Sequence, residues 1–208
     1  MPHGPTLLSR RQLFLLAGAA ARVGASEQDF WNSKPAAEWS TSDIYQLANH
    51  SPWANPVQAW SFSPFGGRDE PSGGIALPTT TVTLGPQGVV TWESAQPLRK
   101  ALKTPLPRAF ANLYVIGVDG IPSGSRFPSS LQRVTVLRCG GKPKWTVRAS
   151  VPRELIRTSA VYAFGFPKAA APIGPDSGDV VFETQFGPWM VRATFKPKDM
   201  LYRGQLAL

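Results

Sequence analysis

Short segments that alternate apolar and polar residues, separated by proline and glycine, dominate the C-terminal half of this sequence. We expect strands at "AVYAFGF", "DVVFETQF" and "WMVRATF", and the period of two residues in such segments, clearest in the last two, is typical of strands with one buried face. Such strands can bury that face only within a sheet. In "WMVRATF" the side chains expected to face the core are Trp189, Val191, Ala193 and Phe195.

Strand signals also occur upstream, again between clusters of glycine and proline. We expect strands at Val57 to Ser61, Thr79 to Leu84 and Val89 to Trp92, with "GPQG" as a turn between the last two. The residues from Phe65 to Gly74 are expected to form a mobile loop. "NLYVIGVDGIP" is the clearest buried strand. A turn or short helix in "SSLQRV" should lead into a hairpin about Gly140 and Gly141.

A first helix is predicted in "WSTSDIYQLANHSP". Ser40 is a candidate N-cap with Asp43 three positions later, and Trp39 before the cap is expected to pack onto Ile44. The helix should end between Asn49 and Pro52. Its apolar face is expected to contain Ile44, Leu47 and Ala48.

A second helix of about three turns is predicted in "SAQPLRKALK", with Ser94 as its N-cap. The inward side chains are expected to be Ala95, Leu98, Ala101 and Leu102. The opposite side should carry the basic side chains Arg99, Lys100 and Lys103.

Early helices followed by runs of short strands favour an α+β fold. We expect mainly antiparallel β-sheet, or a sandwich, with two or three short flanking helices. A doubly wound α/β sheet would need alternating strand and helix units, which the sequence lacks.

The N-terminus has the pattern of an export signal. Arg10 and Arg11 precede a nine-residue apolar run from Leu13 to Ala21, which is too short for an anchoring helix of about 20 residues. "SRRQLFL" resembles the twin-arginine signal S-R-R-x-F-L-K, and an ordinary secretory signal is the alternative. Small residues predict cleavage after Ala25. No cysteine lies near that cut, so a lipid-anchored mature protein is not expected.

The predicted organisation is a cleaved signal, residues 1–25, and a single exported domain, residues 26–208. Within that domain the part 26–104 contains the helices and the part 110–208 is rich in strands. The expected location is the periplasm or the outside of the cell, with no transmembrane anchor after processing.

The basic charge bears on the class of partner. The chain has a net charge of +9, and losing Arg10, Arg11 and Arg22 with the signal leaves 19 basic against 13 acidic residues, a net charge of +6. Nucleic-acid readers gather Lys and Arg on one face, whereas here they are scattered. We therefore expect a protein partner or an anionic envelope component, and no nucleic acid.

Few residues can serve metal or nucleophilic chemistry. Cys139 is the only cysteine, and His50 is the only histidine after processing, so no disulfide, zinc cluster or other metal site is expected. Serine or cysteine catalysis would need His50 as its base, and no G-x-S-x-G motif is present. "GGK" and "GGR" lack the spacing of a phosphate-binding loop, and no cofactor is expected.

Carboxylates are the remaining candidates for catalysis. Glu93 and Asp119 could form an acid/base pair of the glycosidase type if the fold brings them together. Asp119 lies in a turn signal, "VDG", and has a structural explanation. Glu93 follows Trp92 at a junction of strand and helix and is harder to explain structurally.

Tryptophans offer a different kind of site. Trp39, Trp53 and Trp60 lie close together in the sequence around the first helix, and exposed aromatic rings could form platforms for sugar or peptide ligands. The alternative is that they anchor the core of a domain without disulfides.

Three blocks of the sequence resemble a family of exported bacterial proteins of uncharacterised function. They are "WSTSDIYQLANHSPWANPV", "VTWESAQPLRKAL" and "FETQFGPWMVRATFKPKDMLYRGQLAL". The resemblance implies a single exported domain and transfers no catalytic residue or ligand. The family's closing segment reads F-K-L-K-D-M, whereas Pro197 here should interrupt the strand or place it at an edge.

These observations favour a non-catalytic binding or interaction domain of the bacterial cell envelope. A carboxylate-dependent hydrolase of envelope polysaccharide or peptide is the alternative, and a structural subunit of an exported assembly is a third possibility. A hydrolase should bring carboxylates together in a cleft. A binding module should expose an aromatic or basic patch, and an assembly subunit an apolar face or an unpaired strand edge.

Overall fold

The computed structural model describes residues 29–65, 79–103, 105–122, 129–140, 145–149 and 162–208. The predicted export signal, with Arg10, Arg11 and Ala25, lies outside the described residues, as does residue range 66–74 of the predicted mobile loop. The strands of the main sheet are β1 (Ala54–Phe65), β2 (Thr79–Thr91), β3 (Leu113–Asp119), β4 (Val136–Cys139), β5 (Trp145–Arg148), β6 (Tyr162–Pro167), β7 (Val180–Phe186) and β8 (Trp189–Phe195).

The strands form one sheet in the order β5-β4-β7-β8-β1-β2-β3-β6, and all the pairings described are antiparallel. The two edge strands, β5 and β6, approach each other, so the sheet is nearly closed. Two short strands, β9 (Leu201–Tyr202) and β10 (Gln205–Leu206), pair separately. The α+β fold with a dominant antiparallel sheet is confirmed.

The described residues contain four short α-helices. They are α1 (Phe30–Ser33), α2 (Thr41–Asn49), α3 (Gln96–Ala101) and α4 (Ser129–Val134). The single turn α1 is absent from the sequence-based prediction. Short 3-10 turns lie at Ala36–Glu38, Arg108–Phe110, Lys168–Ala170 and Pro197–Asp199.

The start of α2 is a capping box, as predicted. The Asp43 amide donates to Ser40 Oγ at 3.1 Å, and the Ser40 amide donates to Asp43 Oδ2 at 2.9 Å. Two amides that would otherwise lack helical partners are thereby satisfied, an arrangement that stabilises a helix by about 1 kcal/mol. Leu47 is buried, and Ile44 and Ala48 pack against the same core.

The start of α3 differs from the prediction. Ala95 occupies the N-cap position, and the Ser94 hydroxyl instead accepts a hydrogen bond from the Val115 amide of β3 at 3.1 Å. The helix is six residues long, about half the predicted length. Arg99, expected on the outer side, turns inward and forms an ion pair with Glu93, because the buried carboxylate requires a cation.

The "GPQG" segment is not a turn. β2 runs through it as one continuous strand that pairs with β1 from Ala54↔Thr91 to Phe65↔Thr79. Gln87 is opposite Gln58, but Leu84 is opposite Trp60, so β2 contains one extra residue at Gly85–Pro86. A β-bulge explains why glycine and proline occur within this strand. Glycine often marks a bulge, and proline, which cannot donate a ladder hydrogen bond, is tolerated there.

The outer part of this hairpin extends past its neighbours. β8 meets β1 at Trp60↔Met190, and β3 meets β2 only at Val89–Thr91. Beyond these points, no other described strand pairs with residues 61–65 or 79–84. We call residues 60–65 of β1 and 79–84 of β2 the arm.

Aromatic rings anchor the core in place of disulfides. Phe30 lies edge-on to Trp31 and Trp39, with ring centroids 5.2 and 5.6 Å apart, and Trp31 lies edge-on to Trp53 at 5.5 Å. Such contacts add roughly 0.5–1.5 kcal/mol each to the burial of the rings. In a second group, Trp92 lies edge-on to both Tyr114 and Phe195.

The predicted strands of the C-terminal half agree closely with the structure, whereas β1 is longer than the predicted strand, Val57 to Ser61. β3 is buried from Tyr114 to Val118. In β8 the residues Val191, Ala193 and Phe195 are buried as expected, whereas Trp189 is only partly buried. The strand ends before Pro197, which begins a 3-10 turn. Cys139 is a buried free thiol.

Gly88 allows β2 and β3 to approach closely. A Cβ atom at this position would lie 2.3 Å from the Asp119 carbonyl oxygen, and neither backbone can move without opening the β2–β3 pairing. We therefore expect Gly88→Ala to lower the free energy of unfolding by about 1–3 kcal/mol, measured by urea and thermal denaturation. Gly140→Ala is the control, because no described atom lies within 4 Å of its Cβ position. Equal stability of the two variants would contradict the described β2–β3 packing.

Candidate functional site

The two faces of the arm differ in chemistry. Residues directly opposite each other in an antiparallel pair share a face. Trp60 is opposite Leu84, and Phe62 is opposite Val82. The other face carries hydroxyl groups, with Ser61 opposite Thr83. We call the apolar set, Trp60, Phe62, Val82 and Leu84, the arm face.

The arm face is exposed to solvent. Leu84 is 72% exposed, Phe62 58% and Val82 54%, while Trp60 at the base of the arm is half-buried. Met190, also half-buried, lies opposite Trp60 on β8 and extends the apolar surface. Adjoining exposed apolar side chains often mark an interaction site. The arm face is therefore the first candidate for a functional surface.

Sequence reasoning missed the arm face for an identifiable reason. The signal was present, since Trp60 and Phe62 are two residues apart, as are Val82 and Leu84. The predicted strand ends at Leu84 and is followed by a turn. That prediction does not include the pairing with β1 that places these four side chains on one face.

The three candidate tryptophans separate into two environments. Trp53 has no exposed surface, and Trp39 is 7% exposed and donates its indole N–H to the Lys34 carbonyl at 3.3 Å. Both belong to the aromatic core around α1. Trp60 alone of the three contributes to an outer surface, at the base of the arm face.

Glu93 is buried beside α3. Its side chain is 3% exposed and forms an ion pair with Arg99, whose side chain is 10% exposed. Burial raises the pKa of the Glu93 carboxyl above its ordinary value, the nearby positive charge of Arg99 opposes that rise, and the charge of Asp119 adds slightly to it. The Nε and Nη1 atoms of Arg99 have no hydrogen-bond partner among the described residues.

Asp119 has a different environment. It is exposed at the end of β3, and its Oδ1 accepts a hydrogen bond from the Gly120 amide at 2.7 Å. Gly120 has a φ of 78°, so this side chain supports a turn. Neither Asp119 nor Glu93 lines the two grooves beside His50 or the groove beside Tyr114 and Ile173. The geometry gives Glu93 a structural role as the counter-ion of Arg99.

His50 and Cys139 lie on different elements and in different surroundings. His50 follows α2, and its amide donates to the Gln46 carbonyl at 2.7 Å. Cys139 is buried on β4, with Sγ 3.6 Å from the Gly178 carbonyl oxygen. The described part of the chain contains no cluster of three or more His, Cys, Asp or Glu residues that could hold a metal ion.

None of the helices in the described ranges has the length and apolar character needed to cross a bilayer. No protein-family model, curated protein or solved structure matches the chain. Function is therefore inferred from the residues and their geometry alone.

The Glu93–Arg99 pair gives a test of its structural role. Arg99→Met should lower the free energy of unfolding by about 3–5 kcal/mol, because it leaves a buried carboxylate without its counter-ion. Adding Glu93→Leu should recover most of that loss. The control is Arg138→Met, which removes a half-exposed partner of Glu183 and should cost less than about 1 kcal/mol. Urea denaturation measures all three, and equal losses for Arg99→Met and Arg138→Met would contradict the assignment.

Proposed function

We propose that this chain is an exported, non-catalytic interaction domain of the bacterial cell envelope that binds a protein partner through the arm face. The observation that carries the proposal is the exposure of Phe62, Val82 and Leu84 on one side of a paired ribbon. Burying such side chains against a partner removes apolar surface from water, which is favourable by about 25 cal/mol per Å².

The arm is suited to binding because its strands are already paired. A partner would not have to order both strands on contact, so less conformational entropy is lost on association. Phe62, the exposed aromatic side chain of the arm face, is the expected anchor, since a few residues near the centre of an interface, often aromatic, contribute most of the binding energy. The strand edges beyond β8 and β3 offer backbone groups for an added strand of the partner.

Two further features support the proposal. The sequence around Arg10 and Arg11 favours export, and the basic charge of the mature chain favours proximity to anionic envelope surfaces. The non-catalytic assignment is supported by Glu93, which is held by Arg99 in the core, and by Asp119, which is occupied in a turn.

Site-specific photocrosslinking in bacterial cells that produce the full chain tests the proposal. A photoreactive phenylalanine analogue at Leu84, on the arm face, should give a discrete protein adduct. The matched control carries the same group at Thr83, which is also exposed but lies on the hydroxyl face. Adding Phe62→Ser should reduce the adduct at position 84 by at least about tenfold, since loss of an anchor costs 2 kcal/mol or more.

The same crosslinking experiment also tests whether the chain must be exported to reach its partner. Replacing Arg10→Lys and Arg11→Lys together should abolish the adduct if the partner lies beyond the inner membrane. Equal crosslinking at positions 83 and 84, no adduct at either, or an adduct insensitive to Phe62→Ser would contradict binding through the arm face. An adduct that survives the two lysine substitutions would contradict the proposed route and place of binding.

A further inference from the structure

A groove separate from the arm face lies between the end of α2 and the middle of the β1–β2 hairpin. Its volume is about 520 Å³, within the range of roughly 300–1,000 Å³ typical of small-ligand sites. Pro56 and Gln58 continue the strand face that carries Trp60 and Phe62 in the arm, so the groove adjoins the arm base. The residues that give the groove its chemistry are Tyr45, Asn49, His50, Gln58, Gln87 and Val89.

The groove is neutral in a chain that is otherwise rich in charge. All of its lining residues lack a formal charge, with histidine taken as neutral, whereas the chain contains 22 basic and 13 acidic residues. The lining of this groove contains no Lys or Arg that could pair with an anionic ligand. A purely apolar ligand would displace water from the amide groups without replacing the hydrogen bonds of that water, which is unfavourable. The lining therefore favours an uncharged ligand with many hydrogen-bonding groups.

In two of the lining amides, hydrogen bonds within the protein use the nitrogen atom. Asn49 Nδ2 donates to the Tyr45 carbonyl at 2.8 Å, and Gln58 Nε2 donates to the Gly85 carbonyl. Each amide uses an N–H group within the protein, and its carbonyl oxygen is an acceptor suited to a hydroxyl group. Hydroxyl donors are what a sugar presents.

Tyr45 supplies a flat apolar surface beside these acceptors. It is 65% exposed, and its ring centroid lies 6.4 Å from that of His50. An aromatic side chain with a polar tip suits a ligand that has both C–H faces and hydroxyl groups, as a pyranose ring does.

An extended peptide fits this groove less well than a sugar. Peptides that bind to sheets commonly pair with an unpaired strand edge. The floor of the groove instead comes from Pro56↔Val89 and Gln58↔Gln87, where β1 and β2 pair with each other. Recognition there must use side chains, which is how a sugar is held.

A second groove continues from the first. It has a volume of about 300 Å³, shares His50 and Pro56 with the first groove, and is also lined by Asn55 and Thr194. Its lining contains one basic residue, Lys196, and one acidic residue, Asp199, so its formal charge is also zero. A linear ligand of several units can therefore pass from one groove to the next beside His50.

We propose that these adjoining grooves bind a neutral oligosaccharide, with a sugar ring on Tyr45 and sugar hydroxyl groups donating to the carbonyl oxygens of Asn49 and Gln58. The site is independent of the arm face and of its protein partner.

Isothermal titration calorimetry of the full chain tests this proposal with four named probes. Two are neutral tetrasaccharides, one of N-acetylglucosamine and one of glucose, and they distinguish an amide-bearing glycan from a plain one. The other two are an anionic galacturonate tetramer and a tetra-alanine peptide with blocked termini. We expect saturable binding of at least one neutral tetrasaccharide with a dissociation constant below about 10 mM, and no binding of the galacturonate or the peptide.

Two variants locate the binding. Tyr45→Ala removes an exposed ring and should weaken sugar binding by about tenfold, while circular dichroism shows an unchanged fold. Phe62→Ala removes a similarly exposed ring from the arm face and should leave sugar binding unchanged. It thereby separates this proposal from the protein-binding one, which Phe62→Ser tests by crosslinking.

Three results would overturn the proposal. The first is that neither neutral tetrasaccharide binds at about 10 mM. The second is that Tyr45→Ala binds sugar as well as the unsubstituted chain does. The third is that tetra-alanine binds in a way that depends on Tyr45, which would make the groove a peptide site.

Discussion

The pairing of β1 with β2, and the single bulge within it, is the constraint on which both candidate surfaces depend. Without the extra residue at Gly85–Pro86, Phe62 would be opposite Thr83, and Leu84 would be opposite Ser61. Each face of the arm would then mix apolar and hydroxyl side chains, because a shift of one residue moves a whole strand to its other face. The bulge brings Val82 and Leu84 onto the side of Trp60 and Phe62.

The bulge also separates two kinds of surface along one hairpin. On the sheet side of it, Gln58 and Gln87 are opposite each other and form part of the neutral groove below α2. On the outer side, the strands extend past β8 and β3 and expose apolar residues. The inner part of the hairpin is fixed at the centre of the sheet, where a side chain at Gly88 would meet β3. A base packed in this way fixes the position of the arm relative to the sheet.

Sequence reasoning succeeded where structure is determined by near neighbours and failed where it depends on tertiary pairing. The Ser40–Asp43 capping box and the buried strand β3 follow from local pattern and are present. "GPQG" reads as a turn because glycine and proline usually mark one, and only the pairing with β1 makes it a bulge. Arg99 was expected to face solvent because helix periodicity contains no information about Glu93. The arm face escaped prediction for the same reason, since opposite residues are known only once strands are paired.

The most direct test of this account is the register of the arm, measured by nuclear magnetic resonance as cross-strand proton contacts in the free protein. Continuous pairing through the bulge predicts contacts that link Trp60 with Leu84 and Phe62 with Val82. Contacts that link Phe62 with Thr83 would show an unbulged ladder and would mix the two faces. Absence of contacts between residues 60–62 and 82–84 would show that the strands part at Gly85, and would contradict the arm itself.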